Sequence, residues 1–149
     1  MRTMHTIGYA ASQFDIELDL VHPPDMAPTK EFLAELADRN TRVRQVPSVA
    51  DCIAEADVIY VEPVVQADYT KGRVDPELAK GKTPPAYQVT KDLMLKKAKR
   101  DSIILHSLPR MDELPMDVDG TRHARYWIEA SNGVVLRMAL LALVLGKAE

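Results

Sequence analysis

Apolar residues along this chain recur with a helical period of about 3.6 in some segments and with a strand period of about two in others. The predicted helices cover residues 3–14, 29–40, 90–99 and about 123–147, and Ser48 opens a further short helix. The predicted strands cover residues 16–21, 43–46, 57–61 and 102–106. Thr29 and Thr90 stand where helix N-caps are expected. The apolar face of the first helix is predicted to contain Met4, Ile7, Ala11 and Phe14.

This alternation of helices and strands favours a parallel sheet covered on both faces. We therefore expect an α/β fold with a doubly wound parallel sheet, arranged in three layers like a Rossmann fold. Such a unit normally begins with a strand that becomes central in the sheet, whereas this chain begins with a helix. We expect the first strand of the sheet to be missing.

The last predicted helix contains an apolar run at residues 134–145 that only Arg137 interrupts. A helix with so small a polar face must be buried on most sides. It is either the central core helix of this domain or a helix with half of its surface against a neighbour, and the missing strand favours the neighbour. At 12 residues the run is too short to span a bilayer, so we expect no membrane partner.

The composition narrows the class of protein. The chain has 149 residues, of which 46% are hydrophobic, and a formal net charge of -3, which fits one globular domain. A mildly acidic chain is not expected to bind nucleic acid. Cys52 is the single cysteine and is interpreted as a core residue, and no apolar signal-peptide core is found near the N-terminus. We expect a cytoplasmic protein without a metal or cofactor.

Two connecting segments are predicted to be loops. The polar segment 63–85 lacks periodicity and is predicted to be a mobile loop. The stretch ILHSLPRMDEL at residues 104–114 is a strand that ends at His106 and continues into a loop, because Pro109 has no N–H to donate to a ladder. Loops at the carboxyl ends of parallel strands are where open α/β sheets bind their ligands. His106 itself is interpreted as a structural histidine.

The segments ILHSLPRMDEL and VDGTRHARYWIEASNGVVLRMALLALVLG resemble the carboxyl-terminal part of aspartate carbamoyltransferases. That family has a His-Pro-Leu-Pro-Arg loop, a Val-Asp segment and an Asn-Gly-x-x-x-Arg-x-Ala-Leu-Leu helix. The strand DVIYV and the opening RTMHT also fall where the family has comparable segments, whereas residues 62–85 align poorly. The resemblance implies the aspartate-binding domain of a two-domain transferase whose carbamoyl phosphate domain and first strand are absent.

The resemblance also implies substrate-binding residues. Arg2 matches a family arginine that binds aspartate, and a guanidinium suits bidentate binding of a carboxylate. Leu108 and Pro109 match positions whose backbone carbonyls bind the carbamoyl amino group. Ser107 replaces a family proline in that loop but keeps its carbonyl. Arg110 and Asp112 are expected to tie the loop down.

The clearest departure from the family follows the strand at 57–61. The family has Thr-Arg-x-Gln there, and this chain has Glu62 and Pro63, with no arginine aligned. Gln66 supplies the glutamine if one residue is inserted, and Lys71 or Arg73 could replace the arginine. Glu62 would repel a dicarboxylate.

Three functions remain open on these grounds. The chain is the aspartate-binding half of an aspartate carbamoyltransferase, inactive without a carbamoyl phosphate domain; or a non-catalytic relic or interaction module; or part of a carbamoyltransferase for a different amino acceptor. The resemblance implies L-aspartate and carbamoyl phosphate as ligands. It also implies a homo-oligomer, a trimer, in the complete enzyme.

Overall fold

The computed structural model describes residues 2–64 and 82–147, and the chain divides into two compact units. The first unit comprises Met1–Cys52 and Pro84–Tyr87, and the second comprises Ile53–Thr83 and Gln88–Glu149.

The first unit contains two helices and a pair of parallel strands. Its elements are α1 (Arg2–Ala11), β1 (Glu17–Val21), α2 (Lys30–Asp38) and β2 (Arg42–Val46), with short 3₁₀ helices at Pro24–Met26, Val49–Asp51 and Pro85–Tyr87. The pairing of β1 with β2 is parallel. Leu20, Phe32 and Leu36 form its core. A Cβ on Gly8 would lie 2.6 Å from Cζ of Phe32, so the glycine allows α1 to approach α2 closely.

The second unit repeats this plan. It contains β3 (Val58–Val61), α3 (Lys91–Lys97), β4 (Ile103–His106), a 3₁₀ helix at Met116–Gly120 and α4 (Tyr126–Val144). The pairing of β3 with β4 is parallel. On its other edge β4 forms a single bridge from Ile104 to Ala124, and α4 packs against β4. The core residues of this unit include Val61, Met94, Ile104, Leu114 and Tyr126.

The α/β class with parallel strands is confirmed, and the strands form two pairs. No ladder joins β1 or β2 to β3 or β4 within the described residues. In a doubly wound sheet the first strand lies between the second and the fourth. Without that strand, the second strand can pair only with the third, and the fourth only with the fifth. The two pairs observed among the described residues match this arrangement.

Local sequence signals placed most helix starts correctly. The hydroxyl oxygens of Thr29 and Thr90 accept hydrogen bonds from the N–H groups of Phe32 and Leu93, both at 3.2 Å, so both predicted caps are confirmed. The first helix was predicted too long, because it ends at Ala11 and leaves Phe14 71% exposed.

The last helix differs from its prediction in extent and environment. It starts at Tyr126 rather than near residue 123, because the backbone groups of His123 and Arg125 are hydrogen-bonded to Ile104. Tyr126 is its buried residue, so α4 is not the central core helix of this chain. Nine apolar side chains towards its carboxyl end are between 51% and 82% exposed. They are Val134, Val135, Leu136, Met138, Leu140, Leu141, Leu143, Val144 and Leu145.

Among the described helices, α4 is long and apolar enough to cross a membrane by the criteria of length and composition. The sequence interpretation had counted only its apolar run at residues 134–145.

The buried thiol of Cys52 agrees with its predicted core role, and burial raises its pKa.

The exposed face of α4 predicts that the isolated chain self-associates and binds a hydrophobic dye. Covering about 300 Å² of apolar surface would contribute on the order of 7 kcal/mol at about 25 cal/mol per Å². Replacing Val135 and Leu143 by Gln should lower dye fluorescence at least about twofold and shift the chain towards monomer in sedimentation velocity. Ser131→Gln on the same helix is the matched control. A dye-negative monomer with a sharp cooperative melt would contradict this prediction.

Candidate functional site

The loop after β4 lies beside the end of a neighbouring strand. Val61 is the register partner of His106, so Glu62 and Ser107 are the first residues beyond the carboxyl ends of β3 and β4. Ligand sites of open α/β sheets form at this edge. The residues that follow β4 are therefore the candidate site.

The imidazole of His106 holds the start of this loop. The backbone N–H of Leu108 donates to Nδ1 of the buried His106 ring at 2.7 Å, and Nε2 lies 2.9 Å from Oε1 of Glu113. Because Nδ1 accepts a hydrogen bond, the proton of the neutral ring must be on Nε2, where it is donated to the carboxylate. The two contacts therefore define one tautomer.

The carboxylate of Glu113 holds the end of the loop. Oε1 of this fully buried side chain also accepts the backbone N–H of Met111 at 2.7 Å. Burial raises the pKa of Glu113, but the hydrogen bonds from His106 and Met111 outweigh burial, so its pKa lies below the usual 4.5. Oε2 is buried and has no hydrogen-bond partner among the described residues.

The loop carbonyls accept no hydrogen bonds from the part of the chain that the structure describes. Leu108 has φ 55°, a left-handed conformation that is uncommon for a residue with a side chain. Within residues 2–64 and 82–147, no hydrogen bond ends on the carbonyl oxygens of Ser107, Leu108 or Pro109. The loop therefore binds inward through N–H groups and offers acceptors.

Arg110 braces the far side of the loop. Its guanidinium makes a bidentate ion pair with Asp119, with Nη2 2.7 Å from Oδ2, and lies over the rings of Tyr126 and Trp127. The hydroxyl of Tyr126 donates to the same carboxylate. The Arg110 contact lowers the pKa of Asp119, and burial with the Asp119 carboxylate raises the pKa of Tyr126 to about 12. The expectation that Arg110 ties the loop down agrees with these contacts.

Asp112 binds a second segment to the loop. Its carboxylate oxygens accept the backbone N–H of Thr83 at 2.7 Å and the Thr83 hydroxyl at 2.6 Å. Thr83 is buried, and its carbonyl accepts from Nε2 of Gln88 at 3.1 Å. Each carboxylate oxygen of Asp112 therefore has a hydrogen-bond donor on Thr83.

The end of β3 is acidic. The backbone N–H of His106 donates to Oε2 of Glu129 at 2.9 Å. Burial and the nearby carboxylates of Glu129 and Glu62 raise the pKa of Tyr60 to about 12. Oε1 of the half-buried Glu62 has no hydrogen-bond partner in the described part of the chain. The carboxylates of Glu62 and Glu129 at this edge would repel the dicarboxylate that the sequence analysis expects to bind here.

The predicted site residues are only partly described. Ser107, Leu108 and Pro109 lie together at the end of β4, with Ser107 exposed. Arg2 is the first residue of α1, in the other unit, and its side chain is not described. Gln66, Lys71 and Arg73 lie outside the described residues. No cluster of side chains that could hold a metal ion occurs in residues 2–64 and 82–147.

Sequence reasoning missed the two glutamates that contact His106. Glu113 lies seven residues beyond His106 within a loop, and Glu129 lies in the first turn of α4. Neither position shows a periodic or motif signal of burial. The one available hint is that Glu129 is an acidic residue among apolar residues at the start of α4.

Comparison with known proteins identifies the family. The family model of the aspartate/ornithine carbamoyltransferase Asp/Orn-binding domain matches residues 1–144. The chain belongs to this family. The aspartate carbamoyltransferase catalytic subunit of Methanosarcina mazei is 38% identical over 148 residues, which are 99% of this chain and 46% of that protein. This carbamoyltransferase-family chain thus spans about half the length of the curated relatives it matches.

Solved structures agree with the family. The catalytic subunit of M. jannaschii aspartate transcarbamoylase is 29% identical with a TM-score of 0.79, covering 99% of this chain and 47% of that one. Aspartate transcarbamoylase from Trypanosoma cruzi, solved with carbamoyl phosphate and aspartate, has a TM-score of 0.74 at 24% identity and covers 94% of this chain and 43% of that one. The latter likeness shows the fold of the carbamoyltransferase domain.

The Arg110–Asp119 pair predicts an acid-sensitive contribution to stability. Asp119→Asn should lower stability at pH 7 by about 1–2 kcal/mol, because a charged hydrogen-bonded pair is lost. The folded-state pKa of Asp119 is depressed, so this contribution is present above its ordinary value of 3.8 and is lost as pH falls through the folded pKa. The difference in melting temperature between wild type and variant should therefore be largest at pH 7 and shrink as the pH falls below 3.8. Asp117→Asn, at an exposed position of the same 3₁₀ helix, is the control, and an equal loss there would refute the assignment.

Proposed function

We propose that this chain is the aspartate-binding half of an aspartate carbamoyltransferase. The reaction transfers the carbamoyl group of carbamoyl phosphate to the amine of L-aspartate, as in pyrimidine biosynthesis. A C–N bond forms, the C–O bond to phosphate breaks, and the amine loses a proton. The names of the relatives and the family match support this assignment.

The loop at residues 107–109 carries the proposal. Carbamoyl phosphate presents an NH₂ group with two donors, and the loop presents carbonyl oxygens without hydrogen bonds from the described residues. Acceptors fixed in advance can orient the carbamoyl group for attack at little entropic cost. In this function Leu108 and Pro109 bind the carbamoyl NH₂ through their carbonyls, with the Ser107 carbonyl beside them.

The rest of the site would come from elsewhere. Arg2 and Gln66 are proposed to bind the aspartate carboxylates, and a carbamoyl phosphate-binding domain or chain is proposed to hold the phosphate. The chain's coverage of 46% of the M. mazei relative and the exposed apolar face of α4 support such a partner. By analogy with the family, we propose a trimeric, cytoplasmic complete enzyme that does not act on nucleic acid and needs no cofactor or membrane.

A different amino acceptor is the second candidate. Its support is Glu62, a half-buried carboxylate with an unpartnered oxygen where an aspartate carboxylate would need a cation. Pro63 stands where the family pattern has arginine. An acceptor with a positively charged group in place of that carboxylate would fit this edge better than aspartate.

The decisive experiment joins this chain to the part of the M. mazei relative that precedes the matched region. The chain alone should show no formation of carbamoyl product, because it encodes no recognised phosphate-binding segment, and the fusion should form N-carbamoyl-L-aspartate. Turnover by the chain alone, free of host enzyme, would contradict the proposal that activity needs a separate carbamoyl phosphate-binding domain. A folded fusion that binds carbamoyl phosphate but carbamoylates only basic acceptors would favour the second candidate, and one inactive with all acceptors would indicate a relic.

Arg2 gives a sharper test within the same fusion. Arg2→Ala should raise the KM for aspartate by about 10- to 100-fold, since losing a charged hydrogen bond costs about 1.5–3 kcal/mol. The KM for carbamoyl phosphate should change less than about threefold. Arg122→Ala, at an exposed arginine, is the matched control. Equal effects of Arg2→Ala on both substrates would remove Arg2 from the aspartate site.

A further inference from the structure

His106 and Glu113 close the loop at residues 107–111 from both ends. The His106 ring accepts the Leu108 N–H, the Glu113 carboxylate accepts the Met111 N–H, and the two side chains are hydrogen-bonded to each other. Both side chains are buried, and neither is exposed at the loop's outer face. We propose that His106 and Glu113 are positioning residues that aim the loop carbonyls at the carbamoyl group, with His106 acting as a neutral Nε2–H tautomer.

The hydrogen-bond partners of the loop backbone support this role. Leu108 has φ 55°, which an isolated chain rarely populates, so a contact must hold it there. The hydrogen bond to Nδ1 at 2.7 Å supplies that contact and turns the Leu108 N–H inward. Because the N–H and the carbonyl oxygen of a trans peptide point in opposite directions, this bond sets the direction of the Ser107 carbonyl. The bond from the Met111 N–H fixes the other end of the segment that carries the Leu108 and Pro109 carbonyls.

Protonation of the His106 ring would break the hydrogen bond from the Leu108 N–H. An imidazolium has donors on both nitrogens, so Nδ1 could no longer accept the Leu108 N–H. His106 therefore has no role here as an acid or base towards substrate. Its role depends on the ring staying neutral while Nε2–H binds the anionic Glu113 and the backbone N–H of His106 binds Glu129.

Two substitutions of His106 separate its two contacts. In His106→Asn, the side-chain oxygen can replace Nδ1 as the acceptor for Leu108, but the contact with Glu113 is lost. In His106→Gln, the longer amide can reach Glu113, but no acceptor remains near the Leu108 N–H. We expect amide hydrogen exchange at Leu108 to accelerate about fivefold or more in His106→Gln and to change less than about twofold in His106→Asn.

Glu113 provides the second pair, in case a His106 variant does not fold. Glu113→Gln keeps an acceptor for the Met111 N–H, and Glu113→Ala removes it. Exchange at Met111 should accelerate in the alanine variant and stay within about twofold in the glutamine variant. A long-range ¹H–¹⁵N spectrum of the unsubstituted chain should show His106 protonated on Nε2 and unprotonated on Nδ1. The opposite tautomer would overturn the proposal.

The catalytic readout rests on the proposed function and uses the fusion protein. His106→Gln should raise the KM for carbamoyl phosphate about tenfold and leave the KM for the acceptor unchanged, and His106→Asn should restore most of the loss. Equal losses in both variants, or a change in kcat alone, would refute a positioning role. An inactive unsubstituted fusion would count against the proposed function only, because exchange at Leu108 and Met111 still decides the loop geometry.

Discussion

The carboxylate of Glu113 fixes the path of the chain after β4. It is fully buried, and its Oε1 accepts from both Nε2 of His106 and the N–H of Met111. Removing a charge from water is costly, so these donors must be in place for the loop to pack. The contact with Glu113 places the His106 proton on Nε2, and this leaves Nδ1 to accept the N–H of the left-handed Leu108.

Local signals explain why much of the fold could be predicted. Thr29 and Thr90 cap helices through contacts three residues away, and the loop at Pro109 follows from its missing N–H. Long-range contacts explain what was missed. Glu113 contacts a ring seven residues away, and the bridge from Ile104 to Ala124 delays the start of α4. No spacing within one segment encodes such pairings, because they depend on where another element is placed.

The apolar face of α4 and the paired strands lead to the same interpretation. A helix whose nine large apolar side chains between Val134 and Leu145 are at least 51% exposed is not covered by the strands of its own unit. Parallel sheets are usually covered on both faces, and each two-stranded pair here is far smaller than a stable sheet. Family members of about twice this length would have further chain to cover such surfaces. The exposed face of α4 and the 46% coverage of the M. mazei relative therefore agree with each other.

The two halves of the candidate site differ in how well they suit the proposed reaction. The carbamoyl side needs only backbone acceptors, so Ser107 in place of proline leaves its chemistry intact. The acceptor side needs cationic side chains, and there Glu62 and Pro63 replace a family pattern that contains arginine. Backbone recognition tolerates substitution because every residue has a carbonyl, whereas charge recognition does not. In the proposed function, a change of acceptor therefore requires changes only at the end of β3, and the loop held by His106 and Glu113 stays the same.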